Sequence, residues 1–353
     1  MRPAATLLNF WRLRHAYRTL PNANPAAPTR ADIEPTTYCN FRCPHCPSTA
    51  ASKTPGWRAH LSLAAFRRVL DELPAVYRIK LVGLGEPLLN PEFYDLVRAA
   101  RRRHVRVLTT TNGSLLGDPD HRRELLSCGL STLNVSIDAA RADTHAVLRP
   151  GSNLEAIGDG LSALVRERGR RRRPAIRVWH VIQREAVQEL PDLVTRCAEW
   201  GVDSLVCTAK ITNFGLDTLE EVVGEMRAVR EQMAAVVPEA RRRAASAGLE
   251  FRCPDGPPPR RTPADGRPCR WPWSRTFVTA RGEILPCPYA SRPTGLVLGR
   301  LLPGEEGTPR AAAFQRIWNG AAMQSLREQV RERRNPAFCQ ACYFGWRPGE
   351  GTS

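Results

Sequence analysis

Three cysteines lie close together near the amino terminus of the 353-residue chain, at Cys39, Cys43 and Cys46. Their CxxxCxxC spacing puts three thiolates in one short loop, where they can hold three irons of a [4Fe–4S] cube and leave the fourth iron open. No other cysteine follows until Cys128, so the fourth ligand of an ordinary ferredoxin run is missing. Zinc bound by the three thiolates and His45 is the alternative, but His45 is adjacent to Cys46 and shared coordination would be strained. The pattern favours an iron–sulfur site with one vacant corner.

A second group of cysteines follows a proline-rich linker. It consists of Cys269, Cys287, Cys339 and Cys342, the last two forming a CxxC pair. A hairpin predicted over 276–286 would bring the first two members together. Four thiolates can ligate a complete second cluster or one zinc ion, and the spacing alone does not decide between them.

The segment from 31 to 210 alternates short β-rich runs with helical patterns, which predicts βα units around a parallel sheet. The predicted strands cover 32–38, 78–82, 105–110, 132–137, 176–182 and 204–208. The predicted helices between them cover 61–73, 91–103, 119–128, 152–167 and 188–200. The expected fold class is therefore α/β, with a partial (β/α)6 barrel and a small C-terminal domain.

Four segments are expected along the chain. They are an N-terminal leader helix at 1–30, the barrel at 31–215, a helical segment and Pro-rich linker at 216–260, and the second cysteine domain at 261–347. Chemistry in barrels of parallel strands gathers at the carboxyl ends of the strands. The CxxxCxxC loop follows the first predicted strand, and polar or glycine-rich runs end several later ones, so these features are expected on one face.

The formal net charge of +17 raises the question of a nucleic-acid partner. Lys occurs only at positions 53, 80 and 210, however, and Arg is spread throughout the chain. The densest block, 168–173, lies where a solvated turn is expected. No apolar run approaches the length of about 18 residues that a membrane span needs. We therefore expect a cytoplasmic protein without a nucleic-acid or membrane partner; a zinc-stabilised module that binds nucleic acid is the non-enzyme alternative.

Taken together, the motifs resemble the radical S-adenosylmethionine (radical SAM) superfamily, in the branch with a C-terminal SPASM or Twitch domain, from about residue 32 to 346. The resemblance implies that the first three cysteines hold a [4Fe–4S] cluster whose open iron binds SAM. The run Gly85-Glu86-Pro87 is similar to the family's GGEP motif, with Leu84 at the first glycine. The resemblance assigns further contacts with SAM or substrate to Asn134, Ser136, Asp138 and Gln183.

The second cysteine group also resembles part of this family. The stretch from Gly282 to Cys287 is similar to the GX4C hairpin of SPASM domains, and no cysteine follows Cys342. The resemblance therefore implies the shorter Twitch form, with one auxiliary [4Fe–4S] cluster. Its expected ligands are Cys269, Cys287, Cys339 and Cys342.

The activity implied by the resemblance is hydrogen abstraction by a 5′-deoxyadenosyl radical, with a reductant such as flavodoxin or ferredoxin. Cys207 ends the sixth predicted strand, where the substrate should lie, so its thiol could donate hydrogen to a substrate radical and invert a stereocentre; simple packing of a free thiol is the alternative. We expect epimerisation of a sugar or aminocyclitol carbinol carbon, as in the Twitch epimerases of aminoglycoside antibiotic biosynthesis. Dehydrogenation of an aminocyclitol and modification of a peptide are the competing hypotheses.

Overall fold

The computed structural model describes residues 3–53, 56–208, 219–253, 268–291, 296–301 and 313–340. Cys342 and parts of the predicted linker lie outside these ranges. No helix in the described ranges is both long enough and apolar enough to cross a membrane.

The described strands form one continuous, mostly parallel sheet. They are β1 (Arg30–Ile33), β2 (Arg78–Leu81), β3 (Arg106–Thr111), β4 (Thr132–Ser136), β5 (Ala175–Val181), β6 (Ser204–Thr208), β7 (Glu250–Arg252), β8 (Arg275–Val278), β9 (Glu283–Leu285) and β10 (Gly299–Arg300). Their spatial order is β10-β9-β8-β1-β2-β3-β4-β5-β6-β7. Strands β1 to β7 are parallel, and β8 adds to β1 in parallel before turning into the antiparallel β9 and β10. The C-terminal hairpin is thus joined to the barrel through a shared sheet.

Helices connect and cover these strands. They are α1 (Pro3–Thr19), α2 (Pro47–Ala51), α3 (Leu63–Glu72), α4 (Phe93–Arg102), α5 (Pro119–Ser127), α6 (Ala142–Leu148), α7 (Leu154–Arg168), α8 (Leu190–Glu199), α9 (Leu219–Ser246), α10 (Trp271–Ser274), α11 (Ala313–Trp318), α12 (Ala321–Arg331) and α13 (Ala337–Gln340). The α/β fold class and the five helices predicted between the first six strands are confirmed. The structure adds α6 and β7, which were not predicted.

The helix α3 shows how the sequence sets these elements. The Oγ of Ser62 accepts a hydrogen bond from the Ala65 N–H at 3.2 Å and caps the first turn. Phe66, Val69 and Leu70 then follow at helical spacing and are buried. The cap fixes where the helix begins, and the apolar stripe fixes which side meets the sheet.

The first strand is shorter than predicted. It ends at Ile33, because Thr36 leaves the parallel ladder and forms an antiparallel bridge with His60. Thr37 continues this contact by donating its N–H to the Ala59 carbonyl at 3.0 Å. The segment that leads into Cys39 is therefore held by the loop before α3 rather than by β2.

The two faces of the sheet have different chemistry. Side chains such as Ile79, Leu133 and Val178 are fully buried against the helices. The opposite face, which we call the lumen, carries Lys80 and Trp179, and the Lys80 Nζ lies 5.8 Å from the centroid of the Trp179 ring. Since β2 and β5 are three strands apart, about 14 Å on a flat sheet, this contact indicates a sheet that curves around the lumen.

Candidate functional site

The CxxxCxxC loop leaves the carboxyl end of β1 and is held in place by its own backbone and by the chain after α6. Cys46 donates its N–H to the Cys43 carbonyl at 3.1 Å, and Arg42 donates its N–H to the Pro150 carbonyl at 3.0 Å. Cys43 is buried, and Cys39 and Cys46 are half-buried. Burial raises the pKa of Cys43 to about 11, and the Arg149 guanidinium opposes this shift. Three thiols in one loop beside a buried cation fit a cluster site, because the cation favours the thiolates that iron requires.

The glycine-rich loop after β2 lies directly against the segment that precedes Cys39. A Cβ on Gly85 would lie 2.3 Å from the Thr36 carbonyl oxygen and 2.6 Å from that of Tyr38. Glu86 donates its N–H to the same Tyr38 carbonyl at 2.7 Å. This loop therefore forms a close backbone contact that only glycine permits at position 85.

The Glu86 carboxylate points into the protein and joins the ends of two strands. It accepts hydrogen bonds from the Thr111 Oγ1 at 2.7 Å and from the N–H groups of Asn112 at 2.6 Å and Leu88 at 3.1 Å. Burial raises its pKa, and these donors oppose the rise. Pro87 follows as the buried first residue of a 3-10 turn. The contact with SAM expected at Gly85, Glu86 and Pro87 stays a prediction for the backbone of this loop.

The three polar residues predicted at the end of β4 fall into two groups. Asn134 and Ser136 lie on the lumen face, and the Asn134 Nδ2 donates to the Thr110 Oγ1 at 3.2 Å. Asp138 is completely buried and accepts hydrogen bonds from the Arg149 Nε at 2.7 Å and the Val181 N–H at 3.0 Å. Burial is the largest effect and would raise the pKa of Asp138, but Arg149, two nearby histidines and the Val181 N–H together outweigh it, so the pKa is lowered. Asp138 therefore holds Arg149 beside the cysteine loop.

Gln183 lies just after β5, near the same edge of the sheet. Its Nε2 is buried and has no hydrogen-bond partner among the described residues. A buried donor without a partner is costly in a folded protein unless a ligand or water satisfies it. This fits the predicted contact between Gln183 and SAM.

The structure does not place the Cys207 thiol in the lumen, where we expected it. In the parallel register Cys207 pairs with His180, which is fully buried, whereas Trp179 pairs with Val206. Burial raises the pKa of Cys207, as does a hydrogen bond with the thiol of Cys253. Side chains alternate along a strand, so a shift of one position decides between the two faces. Cys207 lies on the helix-facing side.

The lumen carries charged residues that were not predicted as site residues. Asp32 and Lys80 are paired in register on β1 and β2. Burial raises the pKa of Asp32 and lowers that of Lys80, and the attraction between the two charges opposes both shifts. Arg177 lies on the same face, and its Nε is buried without a partner in the described part of the chain. A lysine between Ile79 and Leu81 in a predicted strand was the sequence signal for this face.

The described members of the second cysteine group, Cys269, Cys287 and Cys339, lie near the amino end of β8, away from the CxxxCxxC loop. Cys269 precedes α10, which leads into the start of β8, and Cys287 follows β9, which is antiparallel to β8. Both therefore lie near the amino end of β8. Cys339 lies on α13, which packs against the turn after Cys287. Cys342 lies outside the described residues, so its part in the ligand set stays a prediction.

The comparisons with known proteins agree with this arrangement. The radical SAM superfamily model matches residues 33–182, and the SPASM iron–sulfur cluster-binding domain model matches residues 269–343. A PqqA peptide cyclase of Xanthomonas campestris pv. campestris is 28% identical over 88% of this chain and 78% of its own length. The chain spans 78% of the length of this cyclase but only 36% of the length of an AdoMet-dependent heme synthase of Methanosarcina barkeri, to which it is 33% identical over 36% of its own length.

Two solved structures share the fold at low sequence identity. Streptococcus suis SuiB bound to its precursor peptide SuiA superposes with a TM-score of 0.65 at 16% identity, over 97% of this chain and 76% of SuiB. BtrN in complex with AdoMet and 2-DOIA superposes with a TM-score of 0.50 at 16% identity, over 88% of this chain and 91% of BtrN.

These matches confirm iron–sulfur clusters rather than zinc as the cofactors, and the assignment of the two cysteine groups as their ligands stays a prediction. The two domains imply a [4Fe–4S] cluster that binds SAM and an auxiliary cluster. Asp32 and Lys80 lie on β1 and β2 between the CxxxCxxC loop at one end of the strands and Cys269 and Cys287 at the other. The chain belongs to the radical SAM superfamily and is an enzyme with a C-terminal SPASM/Twitch domain.

Proposed function

We propose that this enzyme carries out an oxidative radical modification of a peptide, in which a substrate carbon loses a hydrogen atom and then a proton and an electron. When bound, SAM and its cluster supply the 5′-deoxyadenosyl radical, and the auxiliary cluster supplies a one-electron acceptor. The orientation of Cys207 is the observation that favours oxidation over epimerisation.

Epimerisation needs a hydrogen donor on the far side of the substrate radical. Cys207 was expected to be that donor, but its thiol is buried on the helix-facing side next to Cys253. Among the described strand residues that face the lumen there is no cysteine. The position of this thiol therefore supports simple packing for Cys207.

The lumen instead offers a group that can take up a proton. Asp32 has a raised pKa because of burial, and the Lys80 ammonium next to it stabilises its charged form. A carboxylate with a raised pKa in a closed site is suited to accept the proton that an oxidised carbon releases. The Trp179 ring lies over the Lys80 Nζ, which is 5.8 Å from the ring centroid, and so covers this part of the lumen. We assign Asp32 as the proton acceptor and Lys80 as the residue that keeps it charged.

The peptide class is supported by relatives that match most of this chain. The PqqA peptide cyclase matches 88% of the chain in sequence, and the SuiB structure with its precursor peptide covers 97% of it in fold. An aminocyclitol is the second candidate substrate, and the likeness to BtrN in complex with 2-DOIA favours it.

The test is to incubate anaerobically reconstituted enzyme in deuterated buffer with peptides encoded beside its gene and, separately, with aminocyclitol intermediates. We expect a peptide product that has lost a pair of hydrogens and carries no solvent deuterium at the reacting carbon. Cys207→Ala should turn over at nearly the wild-type rate, as should its matched control Cys253→Ala. Asp32→Asn should lose product while still cleaving SAM, since cleavage does not need the proton acceptor.

Three results would contradict the proposal. The first is wild-type product of unchanged mass with deuterium at the reacting carbon, lost only in Cys207→Ala. The second is turnover of aminocyclitols without turnover of any peptide, which would keep oxidation and replace the substrate. The third is full product formation by Asp32→Asn, which would remove Asp32 as the proton acceptor.

A further inference from the structure

A row of arginines runs along the amino edge of the sheet, at the end opposite the CxxxCxxC loop. Arg275, Arg30, Arg78 and Arg106 are the first residues of β8, β1, β2 and β3, and the strand register pairs each with the next. Neighbouring strands lie about 4.8 Å apart, so the four side chains start within about 15 Å of one another. We call these four residues the arginine row.

Two members of the row have no acidic ion-pair partner among the described residues. Arg78 and Arg106 are exposed, and neither forms an ion pair within the part of the chain that the structure describes. Arg30 donates to the Tyr77 hydroxyl at 3.2 Å, and Arg275 lies 4.7 Å from the Trp271 ring centroid. Asp32, two residues into β1, is the carboxylate whose charge acts on Arg78 and Arg275. Like charges directly opposite each other destabilise a sheet, so folding alone gives no reason for this arrangement.

The dense arginine block noted in the sequence extends the same edge. Residues 170–173 are exposed and directly precede β5. Ala175 donates its N–H to the Ser131 carbonyl at 3.1 Å, which fixes the block beside the start of β4. Beyond β5 the edge changes character, because Arg168 pairs with Asp203 and Arg252 with Glu250. Among the described residues, the arginines without an ion pair on this edge therefore include Arg78, Arg106 and those at 170–173.

This edge is also where the second cysteine group lies. The short helix α10 separates Cys269 from Arg275, the first residue of β8, so both lie at this end of the strand. Cys287, two residues beyond β9, lies at the level of Arg275 in the antiparallel pairing. One end of the arginine row therefore reaches the ligands expected for the auxiliary cluster.

We propose that the arginine row is the docking surface for an acidic one-electron carrier protein of the flavodoxin or ferredoxin class. The row supplies the complementary charge, and its position beside Cys269 brings the carrier to the nearest redox site. Each encounter moves one electron from the reduced carrier to the enzyme, so the carrier is oxidised by one electron and no group is transferred. The inference requires only that the enzyme uses a reductant, and it does not depend on which substrate is modified.

The test compares two charge-reversed variants of the cluster-loaded enzyme. Arg78→Glu/Arg106→Glu changes the row, and Arg67→Glu/Arg68→Glu changes the net charge equally at exposed positions of α3. Binding of oxidised flavodoxin is measured by calorimetry at low and at physiological salt. Electron transfer from reduced flavodoxin is followed by the flavin absorbance in a stopped-flow instrument, and SAM cleavage driven by dithionite reports on the rest of the enzyme.

At low salt, we expect the row variant to bind flavodoxin at least about tenfold more weakly than wild type and to oxidise reduced flavodoxin at least about tenfold more slowly. Both differences should be smaller at higher salt. The α3 variant should stay within about threefold of wild type, and both should cleave SAM with dithionite at the wild-type rate. Arg78→Gln/Arg106→Gln should give binding and oxidation rates between those of wild type and the charge-reversed row variant. This neutral variant controls for misfolding of the charge-reversed one.

The proposal is overturned if both variants lose binding equally, since net charge alone would then explain it. It is overturned if wild type binds neither flavodoxin nor a plant-type ferredoxin at low salt. It is also overturned if the row variant still binds the carrier but no longer binds an acidic peptide or an oligonucleotide that wild type binds. Loss of dithionite-driven cleavage would place the row in the catalytic machinery instead. A failed substrate screen leaves these binding and stopped-flow results unaffected.

Discussion

Replacing Asp138 with asparagine should destabilise the protein through Arg149. The carboxylate is fully buried and the Arg149 side chain is only 11% exposed, so water can replace little of their interaction. In Asp138→Asn the amide oxygen can still accept from the Val181 N–H. The amide nitrogen, however, would face the Arg149 Nε, donor against donor. The variant therefore keeps one hydrogen bond and leaves a buried cation unpaired.

The expected loss follows from this geometry. Removing one partner of a buried ion pair costs about 3–5 kcal/mol, out of a typical total stability of about 5–15 kcal/mol. An exposed pair provides the matched control. In Arg103–Asp71 the side chains are 41% and 64% exposed, and Asp71→Asn should cost about 1 kcal/mol or less. Because Asp138 has a lowered pKa, the contribution of the buried pair is present above pH 3.8 and is lost as the pH falls through the folded-state pKa.

Urea denaturation of the metal-free protein, followed by tryptophan fluorescence, measures the free energy of unfolding for each variant. Iron content after reconstitution should fall in Asp138→Asn, because Arg149 acts on Cys43 and the adjacent Pro150 holds the cysteine loop. The double variant Asp138→Asn/Arg149→Met should recover part of the loss, since no unpaired cation remains. The reasoning is refuted if Asp138→Asn lies within about 1 kcal/mol of wild type, or if Asp71→Asn costs as much.

Two further predictions concern a backbone contact and a buried imidazole. Gly85→Ala should abolish SAM binding, because the new Cβ would lie 2.3 Å from the Thr36 carbonyl oxygen. Binding is measured by calorimetry on the cluster-loaded enzyme, and an unchanged affinity would refute the close contact. Gly117→Ala serves as the control, because a Cβ at position 117 would meet no atom within 4 Å. Burial lowers the pKa of His145 from 6.5 to about 4. Its neutral form therefore stabilises the fold above pH 6.5, and this contribution, of about 3 kcal/mol, is lost as the pH falls towards 4. His145→Gln should lose less stability than wild type over that range in urea titrations, and parallel curves for the two proteins would contradict the assignment.

The sequence alone was sufficient for the family and for most of the elements. The CxxxCxxC spacing, the GX4C run and the alternation of strand and helix patterns are local features, and each is set by residues close together in the chain. The six predicted strands from β1 to β6 are therefore all present; five differ little at their ends, whereas β1 covers Arg30–Ile33 instead of the predicted 32–38. The strand β1 ends early because Thr36 pairs with His60, a contact across the chain that no local pattern contains.

The side chains that meet across the sheet could be decided only by the tertiary structure. Whether Cys207 faces the lumen or a helix depends on the pairing register of β6 with its neighbouring strands, and a shift of one residue in that register would turn the side chain to the other face. The pairing of Asp32 with Lys80, the burial of Asp138 with Arg149, and the alignment of four arginines at the start of β8, β1, β2 and β3 depend equally on register. Sequence patterns specify which residues belong to a strand, because periodicity is local, but register is set by packing between distant segments. The chemistry of the two cysteine groups was thus readable from the chain, and the composition of the lumen between them was not.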